Sequence, residues 1–335
     1  MKPTVAIALS GGVDSLISAY LLKKQGYPLI GIHFLTGFES DPKPSPHKDG
    51  RCEKSAGAKS EPHDGINARQ IVEKLANQLD IPIHTVDLTR PFHDNVVAYF
   101  NQTYLDGKTP NPCLVCNPTI KFGSLLDAAR KLGAQKIATG HYARVQTDSS
   151  GRSRLYCGLD RKKDQSYFLA FLTQQQLAHA CFPLGKMTKD QVRSLARETG
   201  LSPVTGKESQ DVCFIKGRTY IEFLAKHTDM PTTAGPIEDT DGNVLGEHSG
   251  LHQFTIGQRR GINCPATEPY YVLRIDTEKN RLIVGFKEQL TATACYIDRI
   301  NWIIAQPDQP IAADTRLRYR HRAAASIIYP AHPQT

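Results

Sequence analysis

Residues 10–15 read Ser-Gly-Gly-Val-Asp-Ser, and no other stretch constrains the fold of this chain as tightly. Residues 4–9 before them are short and apolar throughout, the pattern of a strand buried in a parallel sheet. Residues 16–24 after them carry apolar side chains at helical spacing, and Gly26 stops the run. The unit is a strand, a tight turn and a helix. Gly11 and Gly12 let the backbone approach an anion closely, and the helix behind presents free N–H groups at its positive dipole end. Ser10 and Ser15 add hydroxyl donors. Two glycines alone are equally compatible with a serine-capped helix after a turn. The motif is neither a Walker loop, which would end in Gly-Lys-Ser/Thr, nor a Rossmann loop, whose glycine spacing differs.

Beyond Gly26 the chain alternates strand and helix. Residues 28–35, 81–88 and 135–139 read as further buried strands, and residues 66–79, 92–104 and 120–132 as helices. This alternation predicts a doubly wound parallel α/β sheet, with ligands beyond the carboxyl ends of the strands. Both the 10–15 loop and Thr139-Gly-His-Tyr142 fall at such ends. The expected domains are residues 1–143, residues 144–230 and residues 231–335. Within the first, residues 37–65 are rich in Pro, Lys, Ser, Gly and Asp and predict a mobile insertion.

Near residue 143 the character changes. Residues 144–159 read as a hairpin around Ser149-Ser-Gly151. Helices are expected after 163–167 and running to about 179, over 188–199 with Thr188 as N-cap, and over 219–227, making the central part α-rich. From Gly235 onward, turn dipeptides and short β-rich runs such as 270–275 and 281–285 predict a small β domain. The net charge of +8 suggests a polyanionic partner. No apolar run reaches membrane-spanning length and no signal-peptide core is present, so a cytoplasmic location is expected.

In that setting the eight cysteines are thiols, metal ligands or catalytic groups before they are a disulfide scaffold. Asn111-Pro-Cys-Leu-Val-Cys-Asn117 puts Cys113 and Cys116 in a tight loop before a helix, where a thiol pKa is expected to fall. Cys213 lies far away, in Asp211-Val-Cys-Phe-Ile215. The pair alone is compatible with zinc, an iron–sulfur centre, redox work or none of these. Cys157, Cys181, Cys264 and Cys295 lie among apolar or β-type residues and read as buried structural thiols, and Cys52 as an incidental one in the insertion.

Six motifs occur in order: SGGVDS at 10–15; Pro110-Asn-Pro with Cys116-Asn; Ala138-Thr-Gly-His-Tyr142; Lys163-Asp-Gln-Ser-Tyr-Phe168; Asp211-Val-Cys-Phe-Ile215; and Thr255-Ile-Gly-Gln-Arg-Arg-Gly261. The first resembles the pyrophosphate loop of the N-type ATP pyrophosphatases. Together they resemble the bacterial tRNA-specific 2-thiouridylase family (MnmA/TrmU), over about residues 3 to 322 without the insertion.

The resemblance implies an ATP-dependent tRNA-uridine 2-sulfurtransferase. The C2 oxygen of the wobble uridine is a poor leaving group, and adenylation makes it a good one. The ATP site then comprises Ala8, Leu9, Ser10, Gly11, Gly12, Val13, Asp14 and Ser15, bordered by Phe34 and Gly140. Asp14 is a candidate for holding Mg²⁺ or a phosphate, or for capping the helix. Cys213 matches the persulfide carrier and Cys116 the second catalytic cysteine, which releases sulfur by forming a disulfide with Cys213. Cys113, Cys116 and Cys213 match the ligands of an alternative 4Fe-4S mechanism, and the persulfide route is preferred. For tRNA the resemblance marks Asn111, His141, Lys163, Asp164, Gln165, Arg318 and Tyr319. Arg259, Arg260, Arg316, Arg318, Arg320 and Arg322 form a basic set suited to phosphates. A sulfur-relay protein or cysteine desulfurase is the implied donor. The rival readings are an iron–sulfur-dependent thiolase acting on another tRNA base, and a tRNA-binding relative without catalysis.

Two departures stand out. The second strand ends His33-Phe-Leu-Thr36 where the family has a Met-Lys-Asn-Trp-type ending. The chain also stops soon after Arg320, where family members continue for several strands, so an incomplete C-terminal barrel is expected.

Overall fold

The computed structural model describes residues 1–39, 68–204, 212–215, 217–228 and 233–330. Most of the expected insertion, with Cys52, lies outside these residues, as does Asp211.

The first half is built on five parallel strands in the order β3-β2-β1-β4-β7. They are β1 (Val5–Ala8), β2 (Leu29–Leu35), β3 (Ile83–Asp87), β4 (Lys136–Ala138) and β7 (Ala180–Cys181). β1 is buried at every position, as its unbroken apolar run requires. Helix α1 (Val13–Lys24) follows β1, and α2 (Ala68–Leu79) precedes β3. α2 turns Ile71, Leu75 and Leu79 onto Val5, Ile7 and Leu9, closing one face of the sheet. The other face is a larger core that joins Ala6 and Ile32 to aromatic side chains from the helices after β3. Strand order reverses on either side of β1, so the switch point of the sheet lies between β1 and β4.

Two helical stretches differ from their expected form. The first runs as α3 (Thr89–Phe92), a π turn (His93–Val97) and α4 (Ala98–Leu105). The second begins at Pro112 rather than 120. It runs as α5 (Pro112–Cys116), a π turn (Asn117–Ser124) and α6 (Leu125–Lys131). Pro118 has no N–H for an α-helical bond, and the wider π turn absorbs that loss. The Gln176 amide donates to Pro118 O at 2.7 Å and to Phe122 O at 3.1 Å, serving carbonyls of the widened turn.

The hairpin appears as β5 (Ala143–Thr147) and β6 (Ser153–Cys157). The helix expected to follow residues 163–167 is broken. Residues Ser166–Leu169 form one 3₁₀ turn, and α7 (Gln174–His179) restarts because Thr173 and Gln176 make a capping box. Helices α8 (Lys189–Glu198) and α9 (Tyr220–His227) begin at capping boxes of Thr188 with Gln191 and Thr219 with Glu222. The β part holds a four-stranded sheet, β10-β11-β8-β9, from β8 (Gly235–Glu238), β9 (Val244–His248), β10 (Tyr271–Asp276) and β11 (Arg281–Gly285). A separate ribbon pairs β12 (Ile311–Thr315) with β13 (Ala324–Ile328). Among the described residues no helix is long and apolar enough to cross a membrane.

Candidate active site

The loop after β1 and the loop after β4 meet at the switch point. Gly11 takes a φ of +82°, which only glycine adopts freely, and Gly12 is the N-cap of α1 with no side chain closing it. The first-turn N–H groups therefore keep their capacity for an anion. Ser15 donates to Gly12 O at 2.9 Å and Ser10 lies 3.4 Å from Ser15 Oγ, so the hydroxyls brace the loop. Ala8, the last residue of β1, and Leu9 after it are buried. Phe34, near the carboxyl end of β2, is half-buried against the larger core. At Gly140 an added Cβ would lie 3.0 Å from Asp14 and 3.1 Å from the Ser15 nitrogen. Gly140 is thus where the β4 loop packs directly on the anion loop, and any side chain would push the two apart.

Asp14 does not cap α1. Its carboxylate accepts from Lys189 Nζ at 2.7 and 2.8 Å and from the Tyr142 hydroxyl at 2.8 Å. Lys189, the first residue of α8, is 5% exposed at its side chain against 26% for Asp14. With both oxygens engaged, Asp14 does not fit a directly bound Mg²⁺ in this arrangement. Nothing local in the sequence marked Lys189, because 175 positions separate it from its partner.

His141 is buried, between Thr139 Oγ1 at 2.7 Å from Nδ1 and Lys121 Nζ at 3.4 Å from Nε2. An ammonium only donates, so Nε2 accepts and Nδ1 carries the proton that goes to Thr139. Burial first, and the Lys121 charge second, hold the imidazole well below its ordinary pKa, so it is neutral. The unfolded chain takes up a proton near pH ~6.5 that the folded site refuses, so this residue lowers stability as pH falls through that value. We expect urea midpoints to drop between pH 7.5 and 5.5 by less in His141→Gln than in the unsubstituted protein. Equal drops would show that another group sets the slope.

Lys121 lies in the π turn that follows Cys116, five residues on. Five residues make slightly more than one turn of a π helix, so Lys121 returns to the side that carries Cys116. Cys116 is buried, and its thiol is pushed up to about 12. Burial dominates; Lys121 opposes it, while Cys213 and Cys113 add to it. The same burial raises Cys113. The expected depression of these thiols therefore does not occur: desolvation outweighs the short α5, and Cys116 stands at the end of that helix, not its start.

Cys213 is exposed, yet its charge is felt at Cys116. Phe214 explains how. It is 1% exposed, with its ring centroid 5.6 Å from Phe92, 5.3 Å from Phe100 and 5.1 Å from Phe223. Val212 and Ile215 pack on the same core, which includes Cys116. A buried phenylalanine thus pins the 212–215 segment to the core that holds Cys116. Asn111, at the start of that helix, is half-buried and its N–H donates to Tyr99 Oη at 3.3 Å.

All seven described cysteines are free. Among the described residues no three His, Cys, Asp or Glu side chains stand as a metal-binding group, so a 4Fe-4S cluster on Cys113, Cys116 and Cys213 does not fit this arrangement. Cys157, Cys181 and Cys264 are half-buried, but Cys295 is exposed, because residues 291–300 form no regular element to cover it.

The polar segments marked for tRNA converge as well. Tyr319 lies with its ring centroid 4.4 Å from Phe168, within reach of the charges of Lys163, Asp164, Arg316 and Arg320. Arg318 donates to Ile256 O at 2.6 Å, next to the exposed Arg259 and Arg260. Two of the marked residues face inward. Asp164 is 4% exposed and accepts from Gly158 N, Ser166 N and Ser166 Oγ, with Arg316 at 3.8 Å. Gln165 accepts from Tyr142 N at 3.0 Å.

An open parallel sheet with a glycine-lined anion loop at its switch point defines a nucleotide-binding α/β domain. The family model described as tRNA methyl transferase HUP domain matches residues 3–217, and the one described as tRNA methyl transferase PRC-barrel domain matches residues 221–286. The chain belongs to the tRNA-specific 2-thiouridylase (MnmA) family. A protein of that name from Desulfosudis oleivorans is 47% identical over 318 residues, covering 95% of this chain and 82% of the relative. Relatives of the same name from Syntrophotalea carbinolica and Geotalea uraniireducens are 44% and 42% identical, covering 97% and 98% of this chain and 87% and 85% of theirs.

Proposed function

We propose that this protein replaces the C2 oxygen of the tRNA wobble uridine with sulfur, at the expense of ATP. The observation that carries the reading is that the Cys213 segment packs on the core that holds Cys116, near enough for the two thiols to interact, in a chain that also carries the anion loop and whose relatives are named 2-thiouridylases. A methyl transfer, which the names of the family models suggest, has no use for that loop and thiol pair together.

The uridine C2 oxygen attacks the α-phosphorus of ATP, and pyrophosphate leaves. The loop N–H groups of residues 10–15 hold the departing phosphates, with Ser10 and Ser15 as further donors. Cys213 arrives charged by a donor protein as a persulfide, and its terminal sulfur attacks C2. The C2–O bond breaks and AMP departs with the oxygen. Cys116, as thiolate, then attacks Cys213 Sγ. The S–S bond to the transferred sulfur breaks, its electron pair stays on that sulfur, and C2 becomes a thiocarbonyl. The two cysteines are left as a disulfide, which an external dithiol must reduce before the next cycle. Cys116 needs a counter-charge to lose its proton in so buried a place, and Lys121 supplies it. The target base lies in a single-stranded anticodon loop, where unstacking costs little.

The test is direct. Protein, ATP, Mg²⁺, a persulfide source and unmodified tRNA are incubated, and digested nucleosides are analysed by mass spectrometry. 2-Thiouridine supports the reading; thiolated cytidine, or no thionucleoside with tRNA bound, overturns it. On the basic face, Arg259→Gln with Arg260→Gln is expected to weaken tRNA binding at all sequences and to lower the salt slope by about two, one per lost phosphate contact. Filter binding from 50 to 300 mM KCl measures it, and an unchanged slope would remove these arginines from the tRNA face.

A further inference from the structure

The Asp14–Lys189 pair belongs to a closed circuit of hydrogen bonds. Lys189 Nζ binds both oxygens of Asp14. Its backbone N–H, the first of α8, donates to Asp160 Oδ2 at 3.0 Å. Asp160 also accepts from Lys162 N at its other carboxylate oxygen and from Lys163 N at its carbonyl, so it shapes the turn into Lys163-Asp164-Gln165. Gln165 closes the circuit: its backbone and side chain bracket Tyr142 through Gln165 N to Tyr142 O at 2.9 Å and Tyr142 N to Gln165 Oε1 at 3.0 Å. The Tyr142 hydroxyl returns to Asp14 at 2.8 Å. Each link is shorter than 3.2 Å, and the pair at its head is largely shielded from solvent.

We infer that Lys189 couples the anion loop to the 160–165 segment, so that nucleotide phosphates and tRNA strengthen each other's binding. A triphosphate at the loop carries more negative charge than the Asp14 carboxylate and competes for the same ammonium. When Lys189 turns toward the phosphates, Asp14 and Tyr142 lose a shared partner, and the start of α8 and the turn at Asp160 must adjust. By reciprocity, tRNA that fixes the 160–165 segment fixes Lys189 for the phosphates. The inference rests on the proposed binding of ATP and tRNA, but not on sulfur transfer.

The probes are α,β-methylene-ATP, which cannot be cleaved between the α and β phosphates, and an unmodified anticodon stem-loop with uridine at the wobble position. Calorimetry gives the nucleotide Kd with and without saturating stem-loop. In the unsubstituted protein we expect the stem-loop to tighten nucleotide binding by about fivefold or more. Lys189→Met is expected to weaken nucleotide binding alone by about tenfold and to bring the coupling ratio to about one, with Lys189→Arg retaining both. Removing Lys189 also strands a shielded carboxylate, so Asp160→Ala serves as a second variant; it leaves the ion pair intact and should lose the coupling with nucleotide affinity near normal. No coupling in the unsubstituted protein, or the full ratio in either Lys189→Met or Asp160→Ala, overturns the inference. Coupling without any 2-thiouridine in the separate assay supports it and overturns only the thiolation reading.

Discussion

Cys213→Ser is expected to yield no detectable 2-thiouridine while leaving the fold and the ATP half-reaction in place. Cys213 is exposed, so the substitution leaves neither a cavity nor a buried polar group, and the melting temperature should stay within about 1–2 °C. Serine cannot hold a sulfane sulfur, because its oxygen forms no persulfide. Pyrophosphate release in the presence of tRNA depends on residues 10–15 and on the uridine oxygen, and should persist. Mass spectrometry of digested tRNA and a pyrophosphate assay on the same samples separate the two steps. Thionucleoside from the variant would remove Cys213 from the role of carrier. Cys116→Ser should also release no product, but with the tRNA held on Cys213 through the S–S bond that Cys116 would have broken, an adduct that intact-protein mass detects and an added dithiol cleaves.

Phe214→Ala carries the second large effect, and it acts through position. Phe214 fills the centre of a ring cluster with Phe38, Phe92, Phe100 and Phe223, at centroid distances of 5.1 to 5.7 Å. Truncation leaves a cavity that close packing cannot refill, at a cost of about 3–5 kcal/mol, and lowers the melting temperature by on the order of 10 °C. The same change frees the 212–215 segment from the core that contains Cys116. At a temperature where the variant stays folded, mild oxidation should join Cys116 to Cys213 at least about tenfold more slowly, since proximity makes the reaction effectively intramolecular. Phe214→Leu, which fills most of the space, should recover most of the rate. A disulfide rate in Phe214→Ala equal to that of the unsubstituted protein would mean that something else brings the thiols together.

Much of the frame was legible in residues 4–26. An unbroken apolar run, two glycines and a helical repeat are short-range signals, and β1, the anion loop and α1 arise from them with boundaries shifted by a few residues. The alternation through residue 139 led to a parallel sheet, and the helix starts at Thr188 and Thr219 fall where they were expected, each at a capping box. Other features were not legible. Periodicity cannot register a π turn, which changes the repeat for a single turn, so the helix around Pro118 read as starting late. The two-residue β7 is too short to carry a pattern. The resemblance marked Asp164 and Gln165 for tRNA, and the structure instead engages both with the backbone N–H groups of Gly158, Ser166 and Tyr142, which need acceptors. Cys295 read as buried among β-type residues, and with no strand there it is exposed.

By itself the sequence determined the class of the sheet and the position of the anion loop at a strand end, since each depends on residues adjacent in the chain, whereas the choice of thiols for sulfur chemistry was implied only by the family resemblance. Only the tertiary structure decided that Cys213 approaches Cys116, that Asp14 is held by Lys189 rather than left for a cation, and that burial raises the thiols where a helix start would have lowered them. Those outcomes depend on which distant segments share a core and how much water they exclude, and neither quantity is written in local spacing.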